Sequence, residues 1–379
     1  MRNWLIAGAA FAAMAAGSVQ AAAPAQEPPV SAMRRVADWQ LAHLDNFDYI
    51  TAFRDRVEDP TGWVQAAFWV GMTELADMNV DPKYARAIEA VGADRHYALG
   101  HRPLHADDHA IGQTWVWVHE KTGNDAALAA IKTRFDAILA DPPKNSLEFV
   151  PGVPGMESAC QPRWCWSDAL FMAPSVWAAM SRETGDPRYA AYGDKEFWAT
   201  TDYLYDKTDH LYYRDSRFFE RKGPKGEKIF WGRGNAWVFA GIVRMLEALP
   251  ADHPSRPRYE QLMREMASAI APLQSPAGYW PASLHGGAGQ NPETSAAGFF
   301  VYGLAWGVNH GVLDRATYLP VIDKGWSALL AAVEPDGKLG WVQQVGNAPE
   351  QVKREDSQLY GVGAFLLAGS EVRKLRLSR

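Results

Sequence analysis

Cysteine is scarce in this chain: Cys160 and Cys165 are the only two among 379 residues. That excludes a small disulfide-stapled scaffold, and with no paired histidines beside them the two thiols give no support for a zinc site. Basic runs are missing too. The 38 Lys and Arg are scattered, 44 Asp and Glu outnumber them, and the formal charge is -6. A duplex nucleic-acid partner needs a dense basic face, so none is expected. After the first residues no stretch reaches the roughly 18 unbroken apolar residues that a membrane-spanning helix requires. Sustained two-residue alternation is nearly absent, which excludes a β-sandwich or barrel. What the chain has instead is aromatic surface, with 16 Trp, 14 Tyr and 15 Phe. Sixteen indoles exceed the ordinary needs of a core this size. Flat rings lining a polar cleft would absorb the surplus; sugars and bases both stack on such rings, and the charge argues against bases.

The N-terminus reads as an export signal. Met1-Arg2-Asn3 precedes an apolar run from Trp4 to about Ala16, and Gly17-Ser18-Val19-Gln20-Ala21 supplies a small-x-small end. Cleavage after Ala21 is expected, followed by an Ala/Pro-rich flexible leader over 22–34 and one domain over 35–379. The expected location is therefore the bacterial periplasm or the medium. There Cys160 and Cys165 could close a short loop as a disulfide, and two free thiols beside a site are an equally good reading.

A boundary signal recurs along the domain, as a polar Gly/Asp/Pro turn followed by a Tyr- or Ala-bearing helix start. It appears at Asp81-Pro82-Lys83-Tyr84, Gly123-Asn124-Asp125-Ala126 and Gly185-Asp186-Pro187-Arg188-Tyr189. It returns more loosely at Ser255-Arg256-Pro257-Arg258-Tyr259 and Leu313-Asp314-Arg315-Ala316-Thr317-Tyr318. Between these turns apolar residues fall at helical spacing, as in Val238, Ile242, Met245 and Leu246, or Leu262, Met266, Ile270 and Leu273. Two short stretches, 278–280 and 339–342, look like loop ribbons. Five boundaries imply about six helical hairpins, and six hairpins in a ring make an all-α (α/α)6 toroid. The starts of its inner helices would converge on one central cleft.

Three clusters could carry chemistry. His105-Ala106-Asp107-Asp108-His109 puts two acids and two histidines just before a helix-like run. Acids at a helix start also serve as ordinary caps, and a metal site lacks the His-x-x-x-His spacing. In Trp164-Cys165-Trp166-Ser167-Asp168-Ala169-Leu170-Phe171-Met172 a single carboxyl sits among large apolar groups. Desolvation there would raise its pKa toward what a proton donor needs, although a helix start would pull it down. In Trp231-Gly232-Arg233-Gly234-Asn235-Ala236-Trp237, flanking glycines would leave the Arg233 guanidinium free to enter a cleft, beside Trp237 on the same helical face. A Gly-rich turn over buried rings is the plainer alternative.

The order Asp108-His109, Trp166-Ser167-Asp168-Ala169-Leu170-Phe171-Met172, Trp231–Trp237, Glu293–Phe299 and Glu355–Gly361 resembles the unsaturated uronyl hydrolases, glycoside hydrolase families 105 and 88, and more closely the former. The resemblance covers about residues 35–375. It implies an (α/α)6 barrel that removes a Δ4,5-unsaturated uronic acid from the non-reducing end of a polysaccharide-lyase product, with no metal or organic cofactor. It places Asp168 on the general acid/base, Asp108 on the second acid (Asp107 being one residue away), and Trp166, Arg233, Trp237, Trp231 and His109 on or beside substrate-contacting positions. One segment departs from the pattern: Arg214 stands where some relatives carry histidine, with His210 nearby as a substitute. Two other readings stay open. One is a conventional inverting glycosidase or lyase on the same toroid, using Glu293 or Asp356 as its second carboxyl. The other is a periplasmic protein that binds uronides without turnover.

Overall fold

The computed structural model describes residues 27–378, apart from positions 53, 55, 56, 153–155 and 288. Six helices form an inner ring: α2 (Trp63–Asp77), α4 (Gly112–Thr122), α7 (Pro174–Thr184), α9 (Gly232–Ala248), α11 (Thr294–Asn309) and α13 (Leu359–Leu377). Each packs on the next, and α13 packs back on α2, so the ring closes. Six outer helices back them: α3 (Lys83–Asp94), α5 (Ala126–Ala140), α8 (Pro187–Leu204), α10 (Arg256–Ile270), α12 (Arg315–Ala331) and α1 (Pro29–Leu41). This is the expected (α/α)6 toroid.

Sequence pattern assigns the two layers. An inner helix has neighbours on every side and is apolar all round; every residue of α11 from Thr294 to Val308 is buried. An outer helix shows one apolar stripe, as α10 does with Tyr259, Leu262, Met263, Met266, Ala267 and Ile270. Each of the five boundary signals falls between an inner helix and its outer partner. Gly123 and Gly185 end α4 and α7 in the left-handed conformation, at φ 68° and 73°. Asp186 and Asp314 accept hydrogen bonds from the first-turn amides of α8 and α12.

The sixth hairpin has no turn, because it joins the two ends of the described chain: α1 packs on α13. This corrects the expected leader over 29–34; residues 22–26 of it lie outside the described residues. Helix α1 begins at Pro29 and already buries Pro29, Ala32 and Met33. A proline at the helix start and a buried stripe make it the missing outer helix. The export signal over 1–21 lies outside the described residues. Among the described residues the strands form one two-residue ribbon, Tyr205–Asp206 with Leu211–Tyr212, and 278–280 and 339–342 are loops with isolated bridges beside them. No described helix is long and apolar enough to cross a membrane.

Candidate active site

The chain segments that lead into the inner helices meet at one end of the ring around a cavity of about 520 Å³. Trp63 at the start of α2, the His105–Asp108 segment ahead of α4, Trp166 and Asp168 ahead of α7, and Arg214 ahead of α9 line it. The loop that precedes α13 adds Val345, Gly346, Asn347 and Glu350.

Asp168 stands before the four-residue helix α6 (Ala169–Met172), not inside it. Its side chain caps no amide, so the ordinary capping role is vacant. It accepts a hydrogen bond from the Ser167 hydroxyl at 2.9 Å and faces the cavity beside Trp166 and Met172. Burial pushes its pKa up, against the opposing pull of the Arg214 and Arg233 cations and of Ser167. The net direction is upward, as a proton donor needs.

The two acids of the first cluster have different environments. Asp108 is buried and saturated: the Arg102 guanidinium donates to it at 2.7, 3.1 and 3.2 Å, and the Arg102 amide donates as well. Burial alone would raise its pKa, but the bonds and charge of Arg102 prevail and hold it below the usual carboxylate range. Asp108 thus fastens the loop around Arg102. Asp107 also lines the cavity, but its nearest cation contact is a distant 3.7 Å from Arg102. Burial, reinforced by Asp108 and Asp168, pushes its carboxyl up to about 7 despite Arg102. Of the two acids, Asp107 is the one whose hold on a proton is raised beside Asp168. Neither acid caps the short 3-10 helix over Ala106–His109; the ring of His105 accepts that bond from the Asp107 amide.

Arg214 is the second cation of the cavity, beside Arg102. Its Nη1 donates to Asp215 at 2.8 Å while its buried Nε has no partner among the described residues. Asp215 is fully buried and also takes two bonds from Arg217 at 2.8 Å, so Arg214 is held from behind.

Several expected contacts belong to the scaffold instead. Arg233 is buried; it donates to the carbonyls of Gln343 and Gln344 at 2.7 and 3.1 Å and lies over the Trp231 and Tyr360 rings. Its guanidinium is not free in the cleft. Gly232 lets α9 start against the 281–282 backbone, and Gly234 lets it pass close to Ser167 and the Trp231 ring. Trp231 donates to the Gln343 side chain, and Trp237 is enclosed by Trp63, Phe171, Phe299 and Tyr360. All three shape the cavity from one layer back. His109 is fully buried: Nε2 donates to the Pro103 carbonyl at 2.8 Å, Nδ1 accepts from Trp177, and burial lowers its pKa to about 4. His210 lies outside the cavity, in a left-handed turn at φ 54°, bonded to the Tyr205 hydroxyl at 2.9 Å. Of the substrate-contacting positions named from the sequence, Trp166 and Arg214 reach the cavity.

The rival's second carboxyl is not available from Glu293 or Asp356. Glu293 caps α11 through the Ser295 and Ala296 amides and takes the Gln343 amide besides. Asp356 is bonded to Thr51 and to the Lys353 amide. Residues missed in the sequence are Arg102, Trp63 and Gln161. No spacing marks them, because each reaches the cavity from a loop or helix start with no local pattern. Among the described residues no cluster of His, Cys, Asp and Glu has the make-up to hold a metal ion. Cys160 and Cys165 form a disulfide, which settles the alternative left open by their spacing.

A closed helical toroid with two cavity-facing carboxyls of raised pKa and a tethered arginine is the arrangement of an acid/base enzyme acting on a sugar. Residues 32–376 match the family model of Glycosyl Hydrolase Family 88, and the chain belongs to that family; it is a glycoside hydrolase. It is similar to the unsaturated 3S-rhamnoglycuronyl hydrolase of Alteromonas sp. (strain LOR), 47% identical over 344 residues, covering 89% of this chain and 83% of the relative. The protein of that name from Formosa agariphila is 37% identical over 357 residues, covering 90% of each. Among solved structures, a glycosyl hydrolase family 88 protein from Bacteroides vulgatus superposes with a TM-score of 0.79 at 26% identity, over 91% of this chain and 98% of that one.

Proposed function

We propose that this hydrolase removes a Δ4,5-unsaturated uronic acid from the non-reducing end of an oligosaccharide left by a polysaccharide lyase, the sugar beneath being rhamnose. The names of the Alteromonas and Formosa relatives support the substrate class. The observation that carries the chemistry is the pair Asp107 and Asp168, two half-buried carboxyls lining one cavity, both with raised pKa and with the charge of Asp168 adding to the hold of Asp107 on its proton.

An unsaturated uronide is an enol ether. Asp168 donates its proton to C4, and the positive charge that forms at C5 is shared with the ring oxygen. Asp107 as a carboxylate stabilises that charge, and the guanidinium of Arg214, which lines the cavity, holds the C6 carboxylate. Water then adds at C5 and returns a proton to Asp168. The C5–O5 bond of the hemiketal breaks to give a C5 ketone, which leaves C1 as a hemiacetal. Its collapse to an aldehyde frees the next sugar. The carboxylate spacing that separates retaining from inverting glycosidases does not apply, since the attack falls on the double bond and not on the anomeric carbon.

Export to the periplasm or the medium is part of this proposal, supported by the signal pattern of residues 1–21 and by the disulfide. The test of the reaction is loss of the near-UV absorbance of unsaturated uronides from a lyase digest. Asp168→Asn should slow that loss at least about 10²-fold, the usual scale for a positioned acid/base. Persistence of the absorbance alongside cleavage of a saturated glycoside would overturn the reading.

A further inference from the structure

A second cavity, of about 620 Å³, lies against the wall loop of the first. The strip 345–352 separates and joins them: Val345, Gly346 and Asn347 face the first cavity, Ala348, Pro349, Gln351 and Val352 face the second, and Glu350 faces both. Each volume lies in the range of about 300–1,000 Å³ typical of small-molecule sites. An enzyme that takes the terminal sugar in one cavity must let the rest of the chain pass out of it, and Glu350, exposed and shared by both linings, stands between the two.

The second cavity has the features of a sugar groove and no assigned use. Phe218, Ile229 and Pro349 supply an apolar floor. Lys225 is exposed at its rim and has no ion-pair partner among the described residues. The wall is preformed: the side chain of Gln290 bonds the Ser283 amide and carbonyl, and Asn291 donates to the Val352 carbonyl at 2.8 Å. A preformed wall binds without an ordering cost.

We propose that this cavity is the distal part of the substrate groove and takes the third and fourth sugars of an oligosaccharide, with Lys225 facing the carboxylate of an interior uronate. Lyases eliminate next to a carboxylate, so their products carry further uronates along the chain. The inference rests on the unsaturated-uronide reading above, and it makes the protein a hydrolase of longer products in preference to disaccharides.

The test compares an unsaturated disaccharide and tetrasaccharide from one lyase digest. Dissociation constants are measured by calorimetry on the full chain carrying Asp168→Asn, so that turnover does not intrude, and kcat/KM on the wild type. The tetrasaccharide should bind at least about fivefold tighter, the scale of one exposed ion pair at its upper end. Adding Ala348→Trp, which fills the second cavity, should bring the two lengths together. Lys225→Glu, a surface change with no packing role, should shrink the difference and leave disaccharide binding within about twofold. Equal constants for the two lengths, or an advantage untouched by both substitutions, would overturn the groove. Absence of turnover of both oligosaccharides by the wild type would instead overturn the proposed reaction, and the binding comparison would still decide the groove.

Discussion

Neighbouring aspartates in identical sequence surroundings carry opposite electrostatics here, and the difference is a single guanidinium. Asp108 meets Arg102 squarely, while Asp107 meets it at 3.7 Å and faces Asp168 across the cavity. The consequences for pH have opposite signs. Asp107, raised to about 7, holds its proton below that value and loses it above. Activity that needs Asp107 as a carboxylate should therefore rise as pH rises through about 7, and a kcat/KM profile checks this. The same raised pKa means that Asp107 favours the fold at low pH and opposes it progressively as pH rises toward 7, so Asp107→Asn should melt higher than wild type at pH 8 while losing roughly 10²-fold in rate. Asp108 behaves in reverse: its depressed pKa stabilises the fold above the ordinary carboxylate range, and the effect vanishes as pH falls. Asp108→Asn should cost about 1.5–3 kcal/mol at pH 7, the worth of hydrogen bonds to a charged group, read as a lower melting temperature. Sequence alone named the cluster and put the second acid on Asp108 with Asp107 one residue away; the partner that separates their electrostatics, Arg102, reaches them from a loop with no pattern of its own. Arg233 misled for a related reason. Flanking glycines do open space, but the space was filled by the carbonyls of a loop 110 residues away.

At the scale of helices, the ring was legible because the α4–α5, α7–α8 and α11–α12 turns repeat the same local chemistry, a left-handed glycine or a capping aspartate at the join. Helix α1 was not legible, since its hairpin partner is α13 at the other end of the chain and no turn announces it. Closure also needs close contact between α13 and α2, which glycine alone permits. A Cβ on Gly363 would overlap the Ala67 carbonyl, and one on Gly71 would stand 2.5 Å from the Gly363 carbonyl oxygen. The obstacle is backbone on both sides, so no rotamer relieves it and the helices must separate. Gly363→Ala should accordingly cost about 1–3 kcal/mol or more despite the better helix propensity of alanine, and thermal melting of the variant measures it. A stabilised variant would mean that the α2–α13 seam is looser than this.

On the scale of the whole molecule, the disulfide ties compartment to chemistry. Cys160 and Cys165 are both buried, and the loop they close holds Gln161 on the cavity wall, with Trp166 and Asp168 following directly. Nearby, Arg163 pairs with the buried Glu196 and Thr200 bonds the Trp164 carbonyl, so the loop is fastened to α8 as well. Two fastenings at one place make the segment rigid even without the covalent link, and loss of the link should therefore weaken the enzyme without unfolding it. Closing so short a loop contributes roughly 2 kcal/mol by the chain-entropy relation. Protein purified from the periplasm or medium should show no titratable thiol until it is both denatured and reduced, and then two. Cys160→Ser with Cys165→Ser should melt several degrees lower and retain measurable turnover. Mass spectrometry of the same material should give a chain beginning at Ala22. A native protein with two reactive thiols and an intact Met1 would place it in a reducing compartment, and an extracellular uronide substrate would then need its own route across the membrane.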